Sequence, residues 1–105
     1  MNRELKFTDE AEANLKSLRE TPTKSGTLKQ VDKTLGLLES DPRHPSLNTH
    51  KYSSIKGPNG EEVFAAYAQN KTPGAYRVFF VYGPDKYKGK KRTAVLTIVA
   101  ITPHP

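Results

Sequence analysis

A change in the spacing of apolar residues at Asp41-Pro42 limits the folds that are open to this chain. Between Thr8 and that point, apolar residues recur every three or four positions, which is the period of amphipathic helices. A first helix is predicted from a cap at Thr8 to about Pro22, and a second ends at Asp41, because a following proline disfavours helical backbone. The two apolar stripes consist of Ala11, Leu15 and Leu18, then Leu28, Val31, Leu35 and Leu38.

After Asp41-Pro42, β-branched and aromatic residues dominate, and strands are predicted at residues 52–55, 63–68, 76–82 and 94–102. Leu5 and Phe7 predict a short strand before the first helix. Turn residues at 57–60 and 72–74 predict hairpins. The predicted class is α+β: a short N-terminal strand and a two-helix antiparallel hairpin packed on one face of a mainly antiparallel four- to five-stranded sheet, as one domain over residues 1–105. The other face of the sheet should then be open to a ligand.

The amino-acid composition limits the kinds of partner and chemistry that are open to the protein. The 105 residues include 17 Lys and Arg against 11 Asp and Glu, which gives a formal charge of +6. This excess suits a polyanion, and it equally suits a solvated basic surface. The lack of cysteine excludes disulfides, thiol nucleophiles and cysteine-based zinc sites. Since no apolar run resembles an export signal or a membrane span, we expect a cytoplasmic protein with no membrane contact.

The most basic segment is residues 83–92, where glycine and proline interrupt a series of cations, so a mobile loop is predicted. Solubility alone would explain these charges, and so would contact with phosphate groups. The cations are Lys86, Lys88, Lys90, Lys91 and Arg92.

The chain has none of the glycine loops, zinc motifs or serine motifs of familiar enzymes, and its three histidines lack metal-ligand spacing, so we expect neither a metal nor a cofactor. Period two in the strand 76–82 places Arg77 on one face with Phe79 and Val81. Arg77 either extends its head group to water or binds phosphate through its guanidinium. His50, at the entry to the sheet, and His104, just past the last strand, are either surface histidines or proton carriers.

These three side chains form a set able to cleave RNA without a metal. One group would remove the proton of the 2′-hydroxyl, a second would protonate the leaving 5′-oxygen, and the guanidinium would stabilise the phosphorane. The sequence allows this set but does not show that its members converge.

The segments 41–51 (DPRHPSLNTHK), 76–79 (YRVF) and 101–104 (ITPH) resemble the RelE/ParE superfamily of bacterial toxin–antitoxin toxins, and the resemblance covers nearly the whole chain. It implies the same α+β fold and, in the branch that cuts mRNA on the ribosome, catalytic roles for Arg77, His104 and His50. His44 stands where another branch carries a glutamate base. His44 would also bind the RNA. Arg43, Lys51 and Lys56 would position its backbone, as would the cations of residues 83–92.

The resemblance also implies partners: mRNA on the ribosome, and a cognate antitoxin that neutralises the basic surface. One departure leaves an alternative open. Many nucleases of the family carry an aromatic residue after the terminal histidine, where this chain has Pro105. A ParE-like inhibitor of DNA gyrase, or an inactive homologue that binds an antitoxin or nucleic acid, would share the fold without needing the three side chains.

Overall fold

The computed structural model describes residues 3–69 and 74–103. Within these residues a strand comes first, two helices follow, and further strands complete the chain, which confirms the predicted α+β order. The elements are β1 (Glu4–Phe7), α1 (Asp9–Arg19), α2 (Ser25–Ser40), β2 (His50–Lys56), β3 (Glu62–Tyr67), β4 (Tyr76–Tyr82), β5 (Lys86–Lys88), β6 (Lys91–Thr93) and β7 (Val95–Pro103).

The two helices begin and end where local chemistry directs them. The Thr8 hydroxyl accepts the amide proton of Ala11 at 3.1 Å, so the predicted cap of α1 is confirmed. The helix ends at Arg19, before the predicted limit at Pro22. Pro22 instead opens a 3-10 turn, Pro22–Lys24, because its fixed φ suits a first helical position. α2 therefore starts at Ser25, directly after this turn.

The main sheet has the strand order β1-β7-β4-β3-β2, in which β1 runs parallel to β7 and the other neighbours are antiparallel. β4 thus lies inside the sheet, between β7 and β3. The helices cover one face of this sheet, as predicted. The core between the helices and the sheet contains Leu15, Leu18, Val31, Leu35, Leu38, Ala66, Val78, Phe80, Leu96, Ile98 and Ile101.

The opposite face is less open than the sequence suggests. A second apolar cluster occupies its centre, formed by Val63, Ala65, Phe79, Val81, Val99 and Ala100. Three extra residues in β2, between the pairs Lys51↔Phe64 and Lys56↔Glu62, bend this strand. The Tyr52 ring then packs against Phe79, with ring centroids 5.0 Å apart, and Gly57 lies against Val81, where a Cβ atom would meet the valine at 2.9 Å.

The hairpin predicted at residues 57–60 is confirmed, because the amide of Gly60 donates to the carbonyl oxygen of Gly57 at 3.0 Å and Gly60 has φ 82°. The other predicted turn includes Thr72 and Pro73, which lie outside the described residues. In the part of the chain that is described, neither helix has the length and apolar composition needed to cross a membrane.

Candidate functional site

Arg77 lies on an interior strand of the sheet, and part of its guanidinium is buried. Its Cα pairs with that of Tyr67 on β3, and the Arg77 Cζ lies 3.8 Å from the centroid of the Tyr67 ring. Stacking of this kind fixes the plane of the guanidinium by cation–π attraction. Arg77 is therefore not an edge-strand residue, because β4 has neighbours on both sides.

Two nitrogens of Arg77, Nε and Nη1, are buried and have no hydrogen-bond partner among residues 3–69 and 74–103. A simple snorkelling arginine would bring these donors to water, so that explanation does not fit them. A buried, unsatisfied donor costs about 1–3 kcal/mol, and more when the group is charged. The Arg77 guanidinium therefore has two hydrogen-bond donors that could bind the oxygens of an anionic ligand.

His50 reaches the same tyrosine from the other side. Its Cα pairs with that of Ala65, so Tyr67 is its diagonal neighbour on β3, and the two rings meet edge to face with centroids 5.6 Å apart. His50 Nδ1 lies 3.1 Å from the carbonyl oxygen of Asn48. Because a carbonyl only accepts, Nδ1 carries the proton in this contact, and Nε2 of a neutral ring keeps its lone pair.

Residue Asn48 sets this arrangement before the strand begins. It adopts a left-handed conformation with φ 46°, and it closes the 3-10 turn Pro45–Leu47. Asparagine tolerates this region better than most residues do. The turn directs the Asn48 carbonyl oxygen at the imidazole, so the backbone contact occupies Nδ1 and leaves Nε2 of the neutral ring without this contact.

Tyr67 is the residue that sequence reasoning missed. It lies between His50 and Arg77 in space, although it is separated from them by 17 and 10 positions in the sequence. Period two in β3 places it on one face with Val63 and Ala65, so the face was readable. Its contacts depend on the pairing register of three strands, which the sequence does not display.

A basic groove of about 590 Å³ adjoins His50. Three predicted RNA-binding residues, Arg43, His44 and Lys51, line it together with His50. The aromatic rings of Phe64 and Tyr82 also line it; these two rings meet edge to face at 5.3 Å. No acidic residue lines the groove, so its potential favours an anion. The Lys51 ammonium pairs at 3.4 Å with Glu62, on the exposed edge of the sheet.

His44 has a different role from His50. Its Nδ1 accepts the amide proton of Ser46 at 3.2 Å and lies 2.7 Å from the Ser46 hydroxyl, so the imidazole caps the short 3-10 turn. Capping uses the nitrogen lone pair that a base would need. The structure therefore explains His44 as a support for the loop.

Lys56 lies apart from this groove. It lines a second cavity of about 380 Å³ together with Val99 and Ala100, near the turn between β2 and β3. This cavity borders the apolar cluster on the Arg77 face of the sheet. Lys56 and the groove cations thus lie at separate places on the sheet.

The segment 83–92, predicted to be a mobile loop, is an ordered two-stranded ribbon, so that prediction is wrong. β5 and β6 pair antiparallel with Lys86↔Thr93, Tyr87↔Arg92 and Lys88↔Lys91. Asp85 anchors the ribbon: its Oδ1 accepts the amide proton of Val95 at 3.0 Å, and its Oδ2 accepts from Arg92 Nε at 2.8 Å. These two interactions, in that order, hold the pKa of the Asp85 carboxyl below its usual range.

The ribbon does not reach the Arg77 end of the sheet. It leaves β4 after Tyr82, five residues from Arg77, which is roughly 17 Å along a strand. Lys86 pairs with Glu4 of β1 at 3.0 Å. Among the described residues, Lys88, Lys90 and Lys91 form no ion pair. The predicted RNA-binding residues therefore fall into three places and not one.

His104 lies outside the described residues. The strand before it is described as far as Pro103, whose Cα pairs with that of Tyr76, while Thr102 pairs with Arg77. Across residues 3–69 and 74–103, no three histidine or carboxylate side chains come together as metal ligands do.

Comparison with known proteins bears on the fold. No family model matches the chain, and no curated protein matches it. Among solved structures, the YoeB dimer from Staphylococcus aureus is similar over 100% of both chains, with a TM-score of 0.62 and 13% sequence identity. At this identity the likeness shows the fold alone: two helices on a mostly antiparallel sheet, arranged as in the YoeB structure.

Proposed function

We propose that this chain is a toxin-like endoribonuclease that cleaves mRNA on the ribosome without a metal ion. The observation that carries the proposal is the pairing of an unsatisfied guanidinium with an accessible imidazole around one ring. Arg77 stacks on Tyr67 and keeps two buried nitrogens without partners among the described residues, and His50 contacts the same ring. Cleavage through the 2′-hydroxyl needs a cation and a base, and here both contact one ring from different sides.

In the proposed reaction, His50 Nε2 removes the proton of the 2′-hydroxyl, and the 2′-oxygen forms a bond to the adjacent phosphorus. Arg77 donates to the non-bridging oxygens as negative charge builds on the phosphorane. The bond from phosphorus to the 5′-oxygen then breaks, and we assign His104 as the group that donates a proton to this oxygen. The products are a 2′,3′-cyclic phosphate and a 5′-hydroxyl, so no water and no cofactor enter this step.

Tyr67 is a positioning residue in this scheme. Its ring supports the guanidinium on one side and the imidazole on the other, so it limits the motion of both groups. Groups held close to their reactive geometry lose less entropy on the way to the transition state.

The groove beside His50 supplies a path for the RNA. Arg43 and Lys51 would contact phosphates there, while Phe64 and Tyr82 offer aromatic surface to a base. His50 borders both the groove and the Tyr67 ring. A strand bound in the groove would thus pass His50, and Lys56 would contact RNA at a separate place.

The biological setting follows from the likeness to YoeB and from the family resemblance of the sequence. We assign the protein a ribosome-bound mRNA substrate, a cognate antitoxin as its protein partner, and a place in the bacterial cytoplasm. The net charge of +6 suits both an RNA substrate and an acidic antitoxin segment.

The direct test is cleavage of mRNA by the purified protein on translating ribosomes, with wild type compared to Arg77→Ala and Arg77→Lys. We expect cleavage to fall by about 10²- to 10³-fold in the alanine variant, since removal of one oxyanion donor has this effect. The lysine variant should recover little, because an ammonium lacks the planar fork. The fragments should carry 2′,3′-cyclic phosphate ends.

Arg19→Ala is the matched control, because it removes an exposed arginine at the end of α1 and leaves the Arg77 face intact. Thermal unfolding of each variant verifies that it is folded. Equal cleavage by wild type and folded Arg77→Ala would sink the proposal. A wild-type protein that leaves mRNA intact and blocks DNA supercoiling by gyrase would support the ParE-like alternative.

A further inference from the structure

The β5–β6 ribbon separates its side chains into two unlike faces. The cross-strand pairs place Tyr87 opposite Arg92 on one face. The alternate positions, Lys86, Lys88 and Lys91, share the other face, and Lys90 follows Gly89 in the connecting turn. Tyr87 is 71% exposed, although large aromatic side chains on short strands normally find packing partners.

Lys88 and Lys91 are directly opposite each other, and this arrangement opposes folding. Directly paired residues on antiparallel strands have Cβ atoms about 4.5–5.5 Å apart, and like charges at that separation repel. No ion pair within the described residues relieves this pair, whereas Lys86 has Glu4 and Arg92 has Asp85. The chain therefore neutralises the base of the ribbon and leaves its tip cationic.

The ribbon is nonetheless firmly built. Asp85 joins Arg92 to the start of β7, and the Thr97 hydroxyl donates to the Gly83 carbonyl oxygen at 2.7 Å. Lys86 ties the ribbon to β1. A tip that only had to be soluble would not need such anchoring, because a flexible lysine-rich loop would serve as well.

We propose that the tip of the β5–β6 ribbon is a second RNA-binding site, which docks single-stranded or looped RNA at a distance from the Arg77 site. Lys88, Lys90 and Lys91 neutralise phosphates, and an unpaired base stacks on Tyr87. The choice of RNA as the ligand rests on the proposed function, whereas the cationic site at the ribbon tip is argued from the ribbon alone. Duplex RNA fits less well, because its deep and narrow major groove excludes side chains. Stacking on an exposed aromatic residue needs an unstacked base.

The test is binding of wild type and Lys88→Gln/Lys91→Gln to a 2′-O-methyl oligouridine, measured by fluorescence anisotropy over a range of salt concentrations. This probe has no free 2′-hydroxyl, so binding is measured whether or not the protein cleaves RNA. We expect about a tenfold loss of affinity and a slope of log K against log salt that is smaller by roughly 1.4, the value for two phosphate contacts on a single strand. Tyr87→Leu should weaken binding with the slope unchanged.

The control is Lys29→Gln/Lys33→Gln, which removes an exposed lysine pair one helical turn apart on α2 and makes the same change in net charge. We expect it to bind within about twofold of wild type, because its lysines belong to α2 and not to the ribbon. Urea unfolding of Lys88→Gln/Lys91→Gln should show stability equal to or above that of wild type, since a repulsive pair is lost.

Equal losses in the ribbon variant and the α2 control would overturn the proposal, because net charge alone would then explain binding. Binding of a polyglutamate peptide as tight as that of the oligouridine would also overturn it. The ribbon would then be a surface for an acidic protein. A ribonuclease-inactive protein that still showed the predicted loss would reject the cleavage proposal and retain this one.

Discussion

The two ends of β4 use positive charge in different ways. At the end that begins with Tyr76, a single arginine is stacked on a tyrosine, with two nitrogens buried and unsatisfied among the described residues. At the other end, several exposed cations stand on a separate ribbon. A fixed charge in a site of low polarity acts strongly on one phosphate, while exposed charges act weakly and in sum. The first arrangement suits chemistry, and the second suits attachment.

After Arg77, we expect the largest effect on mRNA cleavage from substitution of a histidine. His50→Ala should lower cleavage by about 10²-fold or more, which is the usual contribution of a general base. His44→Ala removes an imidazole from the same groove but only a cap from the chain, so cleavage should change by about threefold at most. Rate measurements on ribosome-bound mRNA decide the matter. Similar losses in the two variants would show that the groove requires both imidazoles only for binding.

A smaller effect is expected at Tyr67. Tyr67→Phe keeps the aromatic surface beneath Arg77 and should cleave within about twofold of wild type. Tyr67→Leu removes the ring, and we expect kcat to fall by about tenfold while KM changes little, because the substrate contacts remain. A role limited to packing predicts a lower melting temperature with unchanged kcat, so the two measurements distinguish positioning from stability.

The smallest effect is expected at the foot of the ribbon and depends on pH. The folded structure lowers the pKa of Asp85, so this carboxylate stabilises the ribbon above its ordinary pKa of about 3.9, and the stabilisation is lost as pH falls through the lowered value. Hydrogen-exchange protection of β5 and β6 should therefore weaken at acidic pH. Asp85→Asn should show lower protection, by roughly a few-fold, with little dependence on pH.

Glu61→Gln is the control for this measurement. The pKa of Glu61 is also lowered, first by its own backbone amide and then by the amide of Asn59, but this carboxylate lies in the turn between β2 and β3. Its substitution should change exchange in that turn and leave the ribbon unaffected. A change in hydrogen exchange of the ribbon on substitution of Glu61 would mean that the ribbon does not open independently of the β2–β3 turn.

Much of the fold was readable because its causes are local. A cap at Thr8, a proline after Asp41 and a change from helical to alternating apolar spacing are properties of neighbouring residues, and each produced the predicted element. Segment 83–92 was the failure. Glycine, proline and lysine suggested mobility, while the order comes from Asp85, whose carboxylate binds Val95 ten positions away.

The site was only half readable. Alternation along β4 correctly placed Arg77 with Phe79, and the histidine type of residue 50 suggested proton transfer. Neither pattern could show that a bend in β2 covers the centre of this face, nor that Tyr67 would join the two side chains.

The sequence alone determined the α+β class, the order of elements and the types of reactive side chain available, since periodicity and capping act over a few residues. Only the tertiary structure decided which of the cations share a site. Strand register, set by bulges and by pairing between distant segments, brings His50, Tyr67 and Arg77 together and keeps the cations of the ribbon at the other end of β4. A register shift of one residue would turn Arg77 to the opposite face, so the site depends on long-range pairing that no short segment encodes.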